Sequence, residues 1–141
     1  MIILGVDLGE RRVGFAITDE EERLAVPSGF APVRSLADAL EAVTAKAAAE
    51  RAELVVVGNP INMDGRPGPK AREAAEFAGM LGDAGLRAEL WDERLTTTEA
   101  TRLLKEAGHN RRRRKTLIDA NAAQRLLESY LSYRRRGTAG D

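Results

Sequence analysis

The sequence predicts an α/β fold: a mixed five-stranded sheet, three antiparallel strands followed by parallel ones, flanked by helices. Three observations lead there. The first thirty residues divide into short apolar stretches separated by polar turns, the pattern of an antiparallel meander. Beyond them, segments of helical period alternate with apolar runs, as in right-handed crossover units. One of those runs, "ELVVVGNP", is continuously apolar and β-branched, which suits a central parallel strand covered on both faces.

The elements follow in order. "MIILGVDLG" reads as a buried strand. In "RRVGFAITDEEE", Val13, Phe15 and Ile17 alternate as on a half-buried strand, and Asp19 to Glu22 form a polar turn. "RLAVPSGF" is a third short strand, stopped by Pro27 and Gly29. Ser35 caps a helix through about Arg51, with Leu36, Leu40 and Val43 on one face. After "ELVVVGNP" comes a Gly/Pro-rich loop, "INMDGRPGPK", then a helix from about Pro69 to Gly82 with Ala74, Phe77 and Leu81 inward. "LRAELWDER" is the fifth strand. Thr96 and Glu99 form a capping box for a helix to Ala107, with Gly108 at its C-terminal stop. "HNRRRRKT" is a basic loop, a last helix runs from about Leu117 to Tyr133, and residues 135–141 form a frayed tail. The order is β-β-β-α-β-α-β-α-α, with one domain over 1–141 and neither internal repeat nor linker.

Bulk composition narrows the class. Apolar residues make up 43% and charged residues 31% of 141 residues, enough for one proper core. The absence of Cys excludes disulfides and thiolate metal sites and fits a cytoplasmic protein. No apolar run approaches a membrane span. The zero net charge conceals an asymmetry: residues 1–101 carry −7 and residues 102–136 carry +8. A basic C-terminal quarter points to a polyanionic partner. With aromatics at 4%, phosphate contacts would dominate nucleic-acid binding over base stacking.

The chemistry is carried by acids in unexpected places. Asp7 interrupts the apolar opening strand, where an uncompensated charge is costly. Asp92 and Glu93 end the fifth strand. In an open α/β sheet with the first strand central, these carboxyl ends approach one another, where ligands gather. On the last helix, positions 119, 122, 123, 126, 127 and 130 form one stripe that is apolar except for Asp119. Three converging carboxylates repel unless a hard cation joins them. Mg²⁺ or Mn²⁺ meets that need, and two such ions serve phosphodiester hydrolysis. Each acid also has a plainer reading: Asp7 leading into a hairpin, Asp119 favouring a helix N-terminus, Asp92 and Glu93 pairing with Arg94.

"GVDLGERRVGFAITD", "VVVGNPINMDG", "DERLTT" followed by "EA", and "DANAAQRLLESYL" occur in that order. Together they resemble the YqgF/RuvX family, over about Ile2 to Leu131. The resemblance implies a ribonuclease H-like fold with metal-binding catalytic carboxylates at Asp7, Glu93 and Asp119. It implies a nuclease that matures the 5′ end of pre-16S ribosomal RNA, or a Holliday junction resolvase. Asn121, Gln124 and Arg125 are more polar than is usual in the family's last motif, and Asn59 stands where an apolar residue is commoner.

Other residues have supporting parts. Arg94, Arg66 and Lys70 are candidates for phosphate contacts. Arg111, Arg112, Arg113, Arg114 and Lys115 are five consecutive cations that favour a nucleic-acid backbone, and a solvated loop is the alternative. Trp91 reads as core rather than a stacking platform, and His109 as a solvated loop residue. The partner expected is structured RNA such as pre-rRNA, or branched DNA. Cutting a two-fold junction would call for a homodimer. Two other classes share features with this chain. An actin- or Hsp70-like ATPase also has "DLG" after a strand but needs two such domains. A non-catalytic nucleic-acid binding module would leave the inward acids unexplained.

Overall fold

The computed structural model describes residues 1–60, 65–66, 68–93 and 122–135. The helix expected from Thr96, the cationic run from Arg111 to Lys115, Arg94 and Asp119 lie outside these described residues. The elements are β1 (Ile3–Leu8), β2 (Arg12–Thr18), β3 (Ala25–Pro32), α1 (Leu36–Glu50), β4 (Leu54–Asn59), α2 (Pro69–Asp83), β5 (Ala88–Asp92) and a helix, α3, over 122–135.

The strands form one sheet in the order β3-β2-β1-β4-β5. β1 pairs antiparallel with β2 and parallel with β4, and β5 pairs parallel with β4, so the predicted mixed sheet with a central first strand is what forms. Central position explains the composition of β1 and β4: their side chains are covered on both faces. Leu4, Val6, Val55 and Val57 pack with Val43 of α1 and Phe77 and Leu81 of α2. Ile3, Leu54 and Val56 pack on the opposite face with Leu126, Leu127 and Leu131 of α3.

α1 starts where Ser35 accepts a hydrogen bond from the Asp38 amide at 3.1 Å, and ends at Arg51 in a left-handed conformation. α2 opens with Pro69 in its first turn, where the missing N–H costs nothing. Both helices match their sequence-based bounds closely.

β3 differs. Pro27 and Gly29 do not stop it; the strand continues to Pro32. The reason is its place at the edge of the sheet, with β2 its one neighbour among the described residues, where a ladder donor can be spared. Its register shifts between the partners of Gly14 and Ala16, and Gly29 there adopts φ +87°, a conformation that suits glycine at a bulge.

α3 lies close against β1 because Gly5 has no side chain. A Cβ on Gly5 would sit 3.1 Å from both the Ala123 carbonyl oxygen and the Leu127 Cβ. Polar contacts fix the helix along its length. Gln124 donates to the Ala25 carbonyl at 3.1 Å, the Trp91 indole donates to Ser129 at 3.0 Å, and Arg134 donates to Glu22 at 2.7 Å. Arg135, at the head of the expected tail, is helical and donates to the carbonyls of Glu22 and Arg23.

Candidate active site

The register of the sheet aligns one row of residues across all five strands. Phe30 stands opposite Gly14, and Gly14 opposite Asp7. Val6 pairs with Val57, which sets Gly58 beside Asp7, and Gly58 in turn pairs with Trp91. Asp7 is thus the one acid in a row whose flanking positions are both glycine. A Cβ on Gly14 would lie 3.7 Å from the Asp7 Cβ and 3.2 Å from the Phe30 ring, so these side chains share a face. It is the face that carries α3, since Gly5, two residues before Asp7, meets Ala123 and Leu127 there.

Glu93 follows β5 directly and reaches back over β4. A Cβ on Gly58 would fall 2.2 Å from its Oε1 atom, so the carboxyl occupies the space the glycine leaves open. Asp7 and Glu93 are hydrogen-bonded to each other. Burial, the adjacent Asp7 charge and that hydrogen bond push the Glu93 carboxyl up to about 8. Asp92 raises it further, while Lys70 acts in the opposite direction. Two carboxylates this close cannot both ionise cheaply, and the pair retains a proton that a cation can replace.

Lys70, in the first turn of α2, is therefore close enough to act on the pair, and its ammonium lies 3.9 Å from Glu10 of the β1–β2 turn. That turn is closed by the Gly9 amide donating to the Arg12 carbonyl at 3.0 Å. Arg66 is exposed ahead of α2. Trp91 is half-buried and packs edge-on against Tyr130, with ring centres 5.5 Å apart. Asn59, at the end of β4, holds a buried Oδ1 that meets no donor among the described residues.

Of the predicted acids, the fold brings Asp7 and Glu93 together. Asp92 does not complete a trio, for no group of three metal-ligating side chains forms among the described residues. The donor set nonetheless suits a hard divalent cation: two carboxyl oxygens, forced together, on a floor cleared by glycine. The parts played by Gly14 and Gly58 were not read from the sequence, although "RVGFA" and "VVGNP" both place a glycine inside an otherwise apolar strand, the usual mark of a close approach.

Comparison with known proteins gives a family and a fold. Residues 1–133 match a family model described as "RuvX: Holliday junction resolvase". A protein of Syntrophomonas wolfei, provisionally named a pre-16S rRNA nuclease, is 40% identical over 132 residues, covering 93% of this chain and 94% of its own. A Myxococcus xanthus protein of the same provisional name is 41% identical, covering 96% and 90%. Among solved structures, Thermus thermophilus RuvC superposes with a TM-score of 0.61 at 16% identity over 98% of each chain. The same protein in complex with a Holliday junction superposes at 0.60. The fold is therefore RuvC-like, that is, ribonuclease H-like.

Proposed function

The chain belongs to the RuvX family, and on that premise we propose that it is a metal-dependent endonuclease acting in the 5′ maturation of pre-16S ribosomal RNA. The observation that carries the reading is the Asp7–Glu93 pair: two mutually repelling carboxyls hydrogen-bonded at the carboxyl edge of the sheet. The rRNA role draws on the names of the relatives that are about 40% identical.

Asp7 and Glu93 would hold Mg²⁺ or Mn²⁺, with Asp119 as the third carboxylate. Asp119 stands four residues before Ala123, the residue of α3 that meets Gly5. When bound, one or two such ions supply a hydrolytic nucleophile and offset charge on the leaving oxygen. The chain's own residues do the remainder. Gly58 leaves room for Glu93 over the floor, and the pair would give up its shared proton to a bound cation. Lys70, Arg66 and Arg94 hold phosphates beside it, and the run from Arg111 to Lys115 binds backbone further along. A cytoplasmic location follows from the substrate.

The family description favours a second reading, resolution of a Holliday junction. That reaction needs paired incisions and hence a homodimer. One experiment separates the two. Wild type and Asp7→Asn are incubated with Mg²⁺ or Mn²⁺ on a precursor-rRNA 5′ segment and on a four-way DNA junction. Cleavage of the RNA by wild type alone is the expected result. Symmetric cutting of the junction in preference to the RNA would install the second reading. Equal activity in both proteins would remove Asp7 from the chemistry.

A further inference from the structure

Phe30 is the exception among the three phenylalanines. Phe15 and Phe77 are buried at 5% and 0% exposure, whereas Phe30 is 43% exposed on the face that carries Asp7. It lies in the same cross-strand row as Asp7, separated only by Gly14, whose missing side chain lets the ring lean inward: a Cβ there would be 3.2 Å from the Phe30 Cε1. The Arg12 guanidinium covers the ring from 4.6 Å. Arg12 is itself exposed, and Arg12 and Pro32 continue the pairing that sets Phe30 opposite Gly14. The exposed ring, with a guanidinium stacked on it, lies two strand spacings or about 10 Å from Asp7. Among the described residues the ring belongs to neither core cluster.

We propose that Phe30 is a stacking platform for an unpaired nucleobase of the substrate next to the scissile phosphate, with Arg12 contacting the phosphate attached to that nucleotide. Single-stranded nucleic acids are held in this way, by aromatic faces for bases and guanidinium groups for backbone. The glycine at position 14 then has a second use: it puts no side chain between Asp7 and the ring. The arrangement favours a substrate whose strand is unpaired beside the cut, because a base held in a duplex cannot turn its face to Phe30. This rests on the nuclease reading above, and the experiment distinguishes the failure of each.

The probe is a single-stranded RNA oligonucleotide of the precursor 5′ region carrying 2-aminopurine at successive positions. It is bound in Ca²⁺, and cleavage of the unlabelled strand is followed separately in Mn²⁺. Wild type is expected to quench the fluorescence at one position. Phe30→Ala loses that quenching and binds about tenfold more weakly, while Phe30→Tyr retains both. An abasic residue at the quenched position weakens wild type by a similar factor and Phe30→Ala by no more. Arg12→Gln lowers the salt slope of binding by about 0.7. Thermal melts confirm that each variant folds. Phe30→Ala that cuts and binds like wild type would overturn the platform and leave the nuclease standing. Position-specific quenching without cleavage in Mn²⁺ would keep the platform and overturn the nuclease. Dissociation of a dimer by Phe30→Ala, seen by sedimentation with quenching unaltered, would reassign the ring to contact between copies of the chain.

Discussion

At the scale of single residues, the site depends on what two positions lack as much as on what others carry. Gly58 has no Cβ, and the Glu93 carboxyl fills that space. Gly58→Ala would place a methyl group 2.2 Å from Oε1. Because the obstructed atom ends a flexible side chain, the protein should fold with little loss of stability while Glu93 swings away from Asp7. A displacement of that size predicts a fall in cleavage of about 100-fold, with an unaltered melting temperature. An active Gly58→Ala enzyme would show that Glu93 works from another position. The same pair sets a pH dependence. Glu93 is pushed up to about 8 in the folded protein from an ordinary 4.5, so in that interval the folded state binds more protons than the unfolded one. Metal-free stability must then decline as pH rises from about 4.5 through 8. Urea unfolding in chelator should show that decline, and Asp7→Asn should flatten it by removing the neighbouring charge. Divalent-ion binding should release a proton in the same window and tighten as pH rises.

At the scale of elements, the described part of the site is made by three strand ends, and one helix packs closely on the same face of the sheet. α3 lies on β1 because Gly5 faces the Ala123 carbonyl and Leu127. Gly5→Ala must push that backbone outward, at a cost of about 1–3 kcal/mol, measurable as a lower urea midpoint with an unchanged slope. If Asp119 acts from the turn before Ala123, the same substitution reduces cleavage by more than the lost stability explains. Most of these elements were legible in the sequence. A β-branched run with no polar interruption has to be buried on both faces, and Ser35 and Pro69 mark helix starts by their hydrogen-bonding chemistry. Asp7 was legible because a charge inside such a run needs a reason, and Asp92 and Glu93 because they end a strand; only the family resemblance singled out Glu93. The extent of β3 was not. Pro27 and Gly29 break most strands, and only the sheet order, a property of the whole chain, makes β3 a place where both are tolerated. Gly14 and Gly58 were invisible as site residues for a similar reason. Their meaning lies in the register with Asp7 and Trp91, which no local pattern specifies.

At the scale of the whole molecule, the charge distribution poses a problem that the proposed substrate must solve. The proposed catalytic acids Asp7 and Glu93 lie in the first 101 residues, which carry −7, and those residues would repel a polyanion. Residues 102–136 carry +8, and five of their cations are consecutive, Arg111 to Lys115. Attraction therefore has to come from the basic quarter, and Lys70 and the proposed divalent ions would neutralise the site locally. This division predicts separate effects on binding and on chemistry. Replacing Arg111 to Lys115 by glutamine should weaken binding of single-stranded RNA chiefly at low salt. It should also reduce the slope of log affinity against log salt by up to about 3.5, given roughly 0.7 per neutralised phosphate on a single strand. Cleavage at saturating RNA should be nearly unaltered, because the lost contacts lie outside the reacting groups. An unchanged slope would shift the backbone contacts to Arg66, Lys70 and Arg94. A loss of cleavage at saturation would instead draw the cationic run into positioning the scissile phosphate.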